Sequence, residues 1–459
     1  MTGLGQDLTS LIKAANVKTE TEDLMAYTSD AIYYMKPTKP DAIVLPESTE
    51  EVSKVLKYAY QHEIPIVPRG AGSGLAGGCT PVKAGIVLDM KRMNNIIEID
   101  RSNMTATVEP GVVLANFHKA VEKQKAFYPP DPQSMSVCTL GGNIATRAGG
   151  PRGVKYGTTS NYVLGMEVVL PDGSVINAGG KYVKQSTGYD ITHLMTGSEG
   201  TLGVITKANL RLIPLPPYHR TILVVCDSLD QAAELVSAII GRGAVPAMLE
   251  FLVAIAIVVM NNYIQPPLPI DAPAYLLMEL DGSREQVDLD TVIVKEICGD
   301  LKAREIRVIE DEKEAASYWI ARSKLYPLMT SVMKRVITED VTIPRNRIPE
   351  FVRAYQKVTE ETGARTGIAG HAGDGNMHPT ILMDQLNDEV EANAKKAIDM
   401  IIRSGLDMGG TISGEHGIGL HKSEYLPWEL GDIQVALLKR IKQAFDPRGI
   451  MNPGKIWPE

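Results

Sequence analysis

The fold of this 459-residue chain is decided by a glycine-rich stretch at residues 68–78, which reads Pro68-Arg69-Gly70-Ala71-Gly72-Ser73-Gly74-Leu75-Ala76-Gly77-Gly78. The residues before it predict a strand at 42–45, a helix at 52–59 and a second strand at 64–67. A third strand follows at 85–89. Five glycines among these eleven residues leave many backbone N–H groups able to face a diphosphate. The sequence therefore predicts a site for a phosphate-bearing cofactor; a mobile surface loop without a ligand is the alternative.

The same stretch satisfies the dinucleotide pattern G-x-G-x-x-G between Gly72 and Gly77, but its context does not suit a Rossmann loop. A Rossmann loop runs directly into a helix whose N-terminus holds the pyrophosphate. Here the residues that follow are Cys79-Thr80-Pro81-Val82 and a strand. The sequence therefore argues against an NAD-dependent metal alcohol dehydrogenase, which is one competing functional class.

Two later segments, at 139–153 and 197–206, are also rich in small residues, which let a large flat ligand approach the backbone. Because Gly, Pro, Ser and Thr are so frequent between 129 and 157, we expect little regular structure there. The rest of this first half predicts a helix at 114–123 and strands at 96–99, 106–109 and 165–170.

A proline cluster at 212–217 marks a domain boundary, because proline prevents a helix from continuing. Beyond it, strands and helices alternate in an α+β pattern with an open sheet. The predicted strands and helices lie at 221–226, 229–241, 274–280, 284–299 and 305–309, with a last helix at 433–445. We expect three parts: a cofactor domain at 1–216, a substrate domain at 217–425 and a C-terminal segment at 426–459.

Composition excludes several classes of protein. Hydrophobic residues make up 44% of the chain and charged residues 22%, which does not fit a disordered protein. A net charge of −8 argues against a general nucleic-acid binder. The four cysteines are too far apart for a CxxC metal or iron–sulfur site.

The sequence predicts no membrane anchor. The first 20 residues lack the pattern of a signal peptide, so we expect a cytoplasmic protein. The longest apolar run, Phe251–Met260, is far shorter than the ~20 residues that span a bilayer. We expect this run to be a buried helix or strand; a peripheral membrane or partner contact is the alternative.

Histidines are concentrated in one segment: four of the eight fall between residues 371 and 421, in two glycine-flanked groups. Two imidazoles and a carboxylate are a common ligand set for a divalent first-row metal. The candidate ligands are His371, His378 and Glu415. The alternative is that both groups are turns with ordinary hydrogen-bonded histidines.

The three glycine-rich segments, taken in order, resemble the FAD-binding domain of flavoproteins of the vanillyl-alcohol-oxidase (PCMH) type. The resemblance implies that the first loop wraps the pyrophosphate, the second segment lies along the ribityl chain and the flavin ring, and the third meets the adenine side. Since the first loop contains no His, covalent attachment there is not expected, and we expect non-covalent FAD. The positions implied to contact FAD are Pro68, Arg69, Gly70, Ala71, Gly72, Ser73, Gly74, Pro132, Ser134, Thr139, Gly141, Gly142, Asn143, Ala145, Thr146, Gly149, Gly150, Tyr156, Gly157, Glu199, Gly200, Gly203, Val204 and Ile205.

The histidine groups, His-x-Gly-Asp-Gly-Asn-x-His and Gly-Glu-His-Gly-Ile-Gly, resemble the signatures of FAD-linked D-2-hydroxy-acid dehydrogenases. The resemblance implies that the candidate ligands bind zinc, iron or manganese, that His416 is the general base, and that Asn376 lies in the active site. It also implies that Arg322, with neighbouring Tyr326, binds the substrate carboxylate. Where D-2-hydroxyglutarate enzymes have a lysine, this chain has Thr338, which weakens the case for a dicarboxylate. Two nearby cations compensate for that lysine or form a solvated basic face: Lys334 and Arg335.

The resemblance therefore implies oxidation of a small D-2-hydroxy acid, D-lactate first, to its 2-keto acid, with hydride passing to flavin N5. Because no cysteine cluster suggests an internal electron relay, an external partner such as electron-transfer flavoprotein is expected. A quinone, or an iron–sulfur subunit as in glycolate oxidase, is the alternative. A non-catalytic flavin-binding subunit is a further class, but it should lack the metal-ligand set.

Overall fold

In the computed structural model, which describes residues 3–35, 38–264 and 267–457, the chain forms two compact units. The first unit comprises residues 1–148, 158–215 and 415–459, and the second comprises 149–157 and 216–414. The boundary near 215 lies beside the predicted proline cluster. The structure differs from the predicted division in two places, since 149–157 lie in the second unit and 415–425 in the first.

The first unit contains a four-stranded sheet that carries the predicted β-α-β elements. Its two parallel pairings join the strand 86–89 to the strands 42–44 and 66–69. The helix Thr49–Gln61 begins at Ser48, whose side chain accepts a hydrogen bond from the backbone N–H of Glu51. In sheet order, the strands are Val17–Lys18, Ala42–Val44, Ile86–Asp89 and Ile66–Arg69.

A five-stranded antiparallel sheet and a two-stranded sheet complete the strands described in the first unit. The five strands, in order, are Ile96–Asp100, Thr105–Val108, Val204–Arg211, Val163–Val169 and Val175–Gly179; the pair is Ile213–Pro214 and Ala126–Phe127. The α-helices are Gly3–Leu11, Thr21–Met25, Thr49–Gln61, Leu114–Glu122, Leu140–Thr146, Ile191–Met195 and Leu426–Phe445. Short 3-10 helices lie at Ala14–Asn16, Met90–Arg92, Thr159–Tyr162 and Ser423–Tyr425.

The second unit contains one eight-stranded sheet in which every pairing is antiparallel. In sheet order, its strands are Glu305–Ile309, Tyr218–Cys226, Ala274–Gly282, Met248–Val253, Thr366–His371, Asn376–Met383 and Arg335–Thr338, with Val341–Thr342 also paired to Asn376–Met383. The helices of this unit are Gly153–Tyr156, Leu229–Gly241, Ala254–Met260, Arg284–Asp300, Glu312–Ser323, Leu325–Val332, Arg345–Arg347 (a 3-10 turn), Ile348–Thr362 and Asp388–Asp407.

One expectation about local structure needs correction, and another needs extension. The segment predicted to lack regular structure contains the helix Leu140–Thr146, which Thr139 begins by accepting a hydrogen bond from the N–H of Gly142. The cap and the close packing of Gly141 against Pro110 outweigh the low helix propensity of glycine. The last helix contains all of the predicted 433–445, and it also extends back to Leu426 across a kink at Gly431.

The apolar run at 251–260 is split between two elements of the second unit, the end of a strand and the helix Ala254–Met260. Four of its side chains have no solvent exposure: Phe251, Leu252, Ile257 and Met260. For these four residues the burial agrees with the expectation of a buried segment, whereas Ile255 and Val258 are exposed. None of the helices described in the structure is both long and apolar enough to cross a membrane.

Candidate active site

The glycine loop of the first unit is supported from behind by its own arginine. The Arg69 guanidinium donates a hydrogen bond to the carbonyl oxygen of Ser29 at 2.9 Å and lies over the ring of Tyr27. It also lies directly against Gly72, where an added Cβ would be 2.2 Å from Nη2 and where φ is +69°. Only glycine fits this position, and the Arg69 side chain is turned to protein groups.

The second predicted segment packs against this loop. A Cβ on Gly70 would lie 2.4 Å from the hydroxyl of Thr139, and Ser73 donates a hydrogen bond to Ser134 at 3.3 Å. No described protein atom lies within 4 Å of a Cβ on Gly74, so this glycine faces open space. The loop and the second segment therefore form a backbone-lined surface of the kind that a bound diphosphate needs.

The third predicted segment, 197–206, packs against the first two. The backbone N–H of Glu199 donates to the carbonyl oxygen of Ala145 at 2.9 Å, and Gly200 packs against Pro68. The strand Val204–Arg211 begins four residues later. The first loop, the part of the second segment up to residue 148 and the third segment thus meet within the first unit, and this backbone fits the phosphate part of a dinucleotide such as FAD.

The C-terminal histidine group is tied to that cofactor surface. The side chain of Glu199 accepts hydrogen bonds from the backbone N–H groups of Ile418 and Gly419, each at 2.8 Å. Burial raises the pKa of Glu199, although these two N–H groups act in the opposite direction. The carbonyl oxygen of Ala76 accepts from the N–H of Leu420 at 2.8 Å. The turn that follows His416 is therefore fixed to two of the predicted cofactor segments.

The other histidine group lies on a β-hairpin of the second unit. The strands Thr366–His371 and Asn376–Met383 place His371 opposite Asn376. The centroids of the imidazole rings of His371 and His378 are 5.1 Å apart, and both side chains are buried. In the turn between the strands, Gly375 has a φ of +86° and leaves no room for a side chain beside Ile343. Glycine is thus needed here to bring the two strands together.

Buried acidic residues that the sequence analysis did not select lie beside these histidines. Nδ1 of His371 is 2.5 Å from Oε1 of Glu250, and Nδ1 of His378 is 3.2 Å from the carbonyl oxygen of Glu339 and 3.8 Å from Oδ1 of Asp340. All three acidic residues have no solvent exposure. The sequence signal that could have identified these residues is a carboxylate inside or beside an apolar strand, since a buried charge must find a partner.

Arg322 is held by the same buried carboxylate. Its Nε and Nη2 atoms both lie 2.7 Å from Oε2 of Glu250. Burial opposes ionisation of Glu250, but the positive charge of Arg322 and the contact with His371 outweigh it and lower the pKa of this carboxyl. Tyr326 lies on the next helix, Leu325–Val332, and is half-buried.

Metal-ligating residue types occur in both units. His378 and Asp340 offer ligand atoms in the second unit, and Glu415 and His416 offer them in the first. Oε1 of Glu415 and Nε2 of His416 are 4.0 Å apart. Imidazole and carboxylate are the donor types that suit zinc, iron and manganese, so the donor types in each unit fit a divalent cation. His371, the third predicted ligand, is not one of these four residues.

The remaining predicted cofactor contacts, at Gly149, Gly150, Tyr156 and Gly157, belong to the second unit. The hydroxyl of Tyr156 donates to Oδ2 of Asp281 at 2.6 Å. Elsewhere in this unit, the hydroxyl of Thr338 bonds to that of Thr380, and Arg335 pairs with Glu391.

Comparison with known proteins gives family matches over most of the chain. Residues 40–179 match the FAD binding domain family, and residues 215–456 match the family of FAD linked oxidases, C-terminal domain. The glycolate oxidase subunit GlcD of Bacillus subtilis (strain 168) is 42% identical, with 94% of this chain and 92% of that protein covered. The D-lactate dehydrogenase of Anaerostipes hadrus is 34% identical, with 94% and 92% covered.

The fold is similar to that of p-cresol methylhydroxylase. The TM-score is 0.83 at 21% sequence identity, covering 99% of this chain and 96% of that one. The matches confirm the resemblance read from the sequence and the predicted PCMH-type α+β fold.

Proposed function

We propose that this chain, which belongs to the family of FAD-linked oxidases, oxidises a small D-2-hydroxy acid, D-lactate first, to its 2-keto acid. The observation that carries the proposal is the buried group in the second unit, where Glu250 bonds to both His371 and Arg322. This group combines a cation for a carboxylate with an imidazole for a metal. The relatives named as D-lactate dehydrogenase and glycolate oxidase subunit support the same substrate class.

In this proposal, Arg322 binds the substrate carboxylate. A guanidinium suits this task because its planar N–H groups match the two carboxylate oxygens. Glu250 fixes the plane of the guanidinium from one side, which sets the direction of its other N–H groups. Asn376, opposite His371 on the hairpin, adds an amide donor, and Tyr326 adds a phenol on the helix that follows Arg322.

A divalent metal is proposed to be held by His371, His378 and Glu415, with Asp340 as the addition that the structure suggests. A metal ion at such a donor set supplies Lewis acidity, which lowers the pKa of a bound hydroxyl group. Both histidines use Nδ1 for protein partners, which directs Nε2 toward a ligand role.

His416 is proposed to take the hydroxyl proton. An ordinary imidazole pKa of ~6.5 suits a general base near neutral pH. The bonds from Ile418 and Gly419 to Glu199 hold the backbone that carries His416 against the segment proposed to bind the cofactor. FAD, bound non-covalently, supplies the two-electron acceptor for the hydride that leaves the substrate Cα.

The electrons are proposed to leave through a partner protein such as electron-transfer flavoprotein, with the enzyme working in the cytoplasm. Native purification tests this step: recovery of a flavoprotein partner supports it. Recovery of the chain alone, with rapid quinone reduction by the substrate-reduced enzyme, supports a quinone route instead.

A second candidate substrate is glycolate, because the relative with 42% identity is named as a glycolate oxidase subunit. Anaerobic titration of the FAD-loaded protein with D-lactate, L-lactate, glycolate and D-2-hydroxyglutarate separates the candidates. The proposal is supported if D-lactate removes the visible flavin absorbance at a lower concentration than the other three acids do. Reduction by none of the four acids contradicts it.

A further inference from the structure

Glu250 is a fully buried carboxylate whose two oxygens serve two different groups. Oε1 lies 2.5 Å from Nδ1 of His371, and Oε2 lies 2.7 Å from both Nε and Nη2 of Arg322. Resting on the proposed function, we infer that Glu250 is a positioning residue that fixes a metal-ligating imidazole and the substrate-binding guanidinium in one arrangement.

The location of Glu250 argues for a specific role. It lies on the strand Met248–Val253, where Leu249, Phe251 and Leu252 also have no solvent exposure. A buried carboxylate is costly unless it is paired and hydrogen-bonded, and an apolar residue of similar volume often serves the fold equally well. The strand could be completed by a hydrophobic side chain, so the carboxylate is explained by the groups that it holds.

The contact of Glu250 sets the orientation of the His371 ring. Nδ1 of His371 lies 2.5 Å from Oε1 of Glu250, so Nε2 is the ring nitrogen on the side away from this carboxylate. The same reasoning applies to His378, because its Nδ1 lies 3.2 Å from the carbonyl oxygen of Glu339. Both histidines, whose ring centroids are 5.1 Å apart, therefore present the nitrogen that ligates a metal.

Because one carboxylate holds both groups, a change at Glu250 acts on metal binding and on substrate binding together. If Glu250 merely stabilised the fold, its replacement would change neither the metal affinity nor the substrate affinity of the folded protein. Partners of metal-ligating histidines typically contribute about 10- to 100-fold to metal affinity, which sets the size of the expected effect.

The test compares Co²⁺ binding to metal-stripped, FAD-loaded protein in the wild type and in Glu250→Gln, followed by the visible absorbance of the bound ion. We expect roughly 10- to 100-fold weaker Co²⁺ binding in Glu250→Gln. The matched control is Glu314→Gln, which removes a carboxylate from a pair with Arg307 in the same unit. We expect this control to bind Co²⁺ like the wild type.

The double variant Glu250→Gln with Arg322→Met separates positioning from stability. It removes both charges of the buried pair, so that Arg322 is not left as an unpaired buried charge. Weak Co²⁺ binding in both the single and the double variant supports the inference. Recovery of wild-type affinity in the double variant overturns it, since the effect then came from the unbalanced Arg322. Equal binding by all variants and the wild type also overturns it.

Failure of the proposed function has a different signature. If the wild type binds no Co²⁺ and is still reduced by a 2-hydroxy acid, the proposed metal is wrong, and the role of Glu250 toward His371 is overturned with it. If the wild type binds Co²⁺ and the Glu250 variants bind it equally well, the proposed metal site survives and only the role of Glu250 is overturned. A higher KM for the hydroxy acid in Glu250→Gln, with Glu314→Gln unchanged, is the corresponding result on the substrate side.

Discussion

Replacement of Glu199 by alanine is expected to destabilise the first unit and to slow proton transfer. The Glu199 side chain accepts hydrogen bonds at 2.8 Å from the backbone N–H groups of Ile418 and Gly419, in a place where the glutamate is only 8% exposed. Alanine leaves both donors without their acceptor. Each buried N–H group left without an acceptor costs about 1–3 kcal/mol, so the summed loss is about 2 kcal/mol or more.

Urea unfolding of the FAD-loaded protein measures this loss, and Glu109→Ala is the matched control. Glu109 also accepts two hydrogen bonds at 2.8 Å, from the backbone and side chain of Asn95, but these bonds are exposed to solvent, where water replaces the carboxylate. We expect the control to change the unfolding free energy by less than about 1 kcal/mol. Equal losses in the two variants would refute the argument that burial makes the Glu199 contacts valuable.

The kinetic part of this prediction concerns His416, which lies two residues before the first N–H group bonded to Glu199. A displacement of about 1 Å at a reacting group can cost about 100-fold in rate. Anaerobic stopped-flow reduction of the flavin by D-lactate is therefore expected to be about 10- to 100-fold slower in Glu199→Ala. A wild-type reduction rate in a folded, FAD-loaded variant would show that this turn does not position the base.

Three further predictions test separate parts of the structure. His416→Ala is expected to slow flavin reduction by D-lactate by about 10²- to 10⁴-fold, and a wild-type rate would rule out His416 as the base. Burial raises the pKa of Asp30 from 3.8 to about 6, so its contribution to stability is complete below pH 3.8 and is lost as the pH rises through about 6. Asp30→Asn should therefore gain up to about 3 kcal/mol over the wild type at pH 8 and lose that advantage at pH 4, as measured by urea unfolding. Gly72→Ala should lower the stability of FAD-free protein by about 2 kcal/mol or more, since its φ is +69° and its Cβ would meet Arg69, while Gly74→Ala in open space should not; similar melting temperatures would contradict this.

The cofactor segments could be predicted from sequence because their signals are local. The glycines of residues 68–78 mark a loop between strands, and Ser48 with Glu51 marks the start of the helix at Thr49. The structure brings the loop together with 139–146 and 197–206, which the resemblance implied and no local signal required. Local patterns thus identified the pieces, and the family resemblance supplied their assembly.

The partners of the active-site groups could not be predicted in the same way. Glu250 lies 121 residues before His371 in sequence, and only the sheet register, with Phe251 opposite Gly370, makes them neighbours. The side-chain contacts of Arg69 also depend on residues distant in sequence. Its guanidinium donates to the carbonyl oxygen of Ser29 and lies over the ring of Tyr27, both of which come much earlier in the chain.

The chain passes from one unit to the other at the peptide bond between Gly414 and Glu415. The N–H of Gly414 donates to the carbonyl oxygen of Asp340 in the second unit, whereas the turn after His416 is bonded to Glu199 in the first. Residues that are adjacent in sequence are thus positioned by different sets of contacts. Variants at Glu199 should therefore act through the turn that follows Glu415 and His416, and variants at Glu250 should act through His371 and Arg322. The two carboxylates thus influence different side chains of the proposed site.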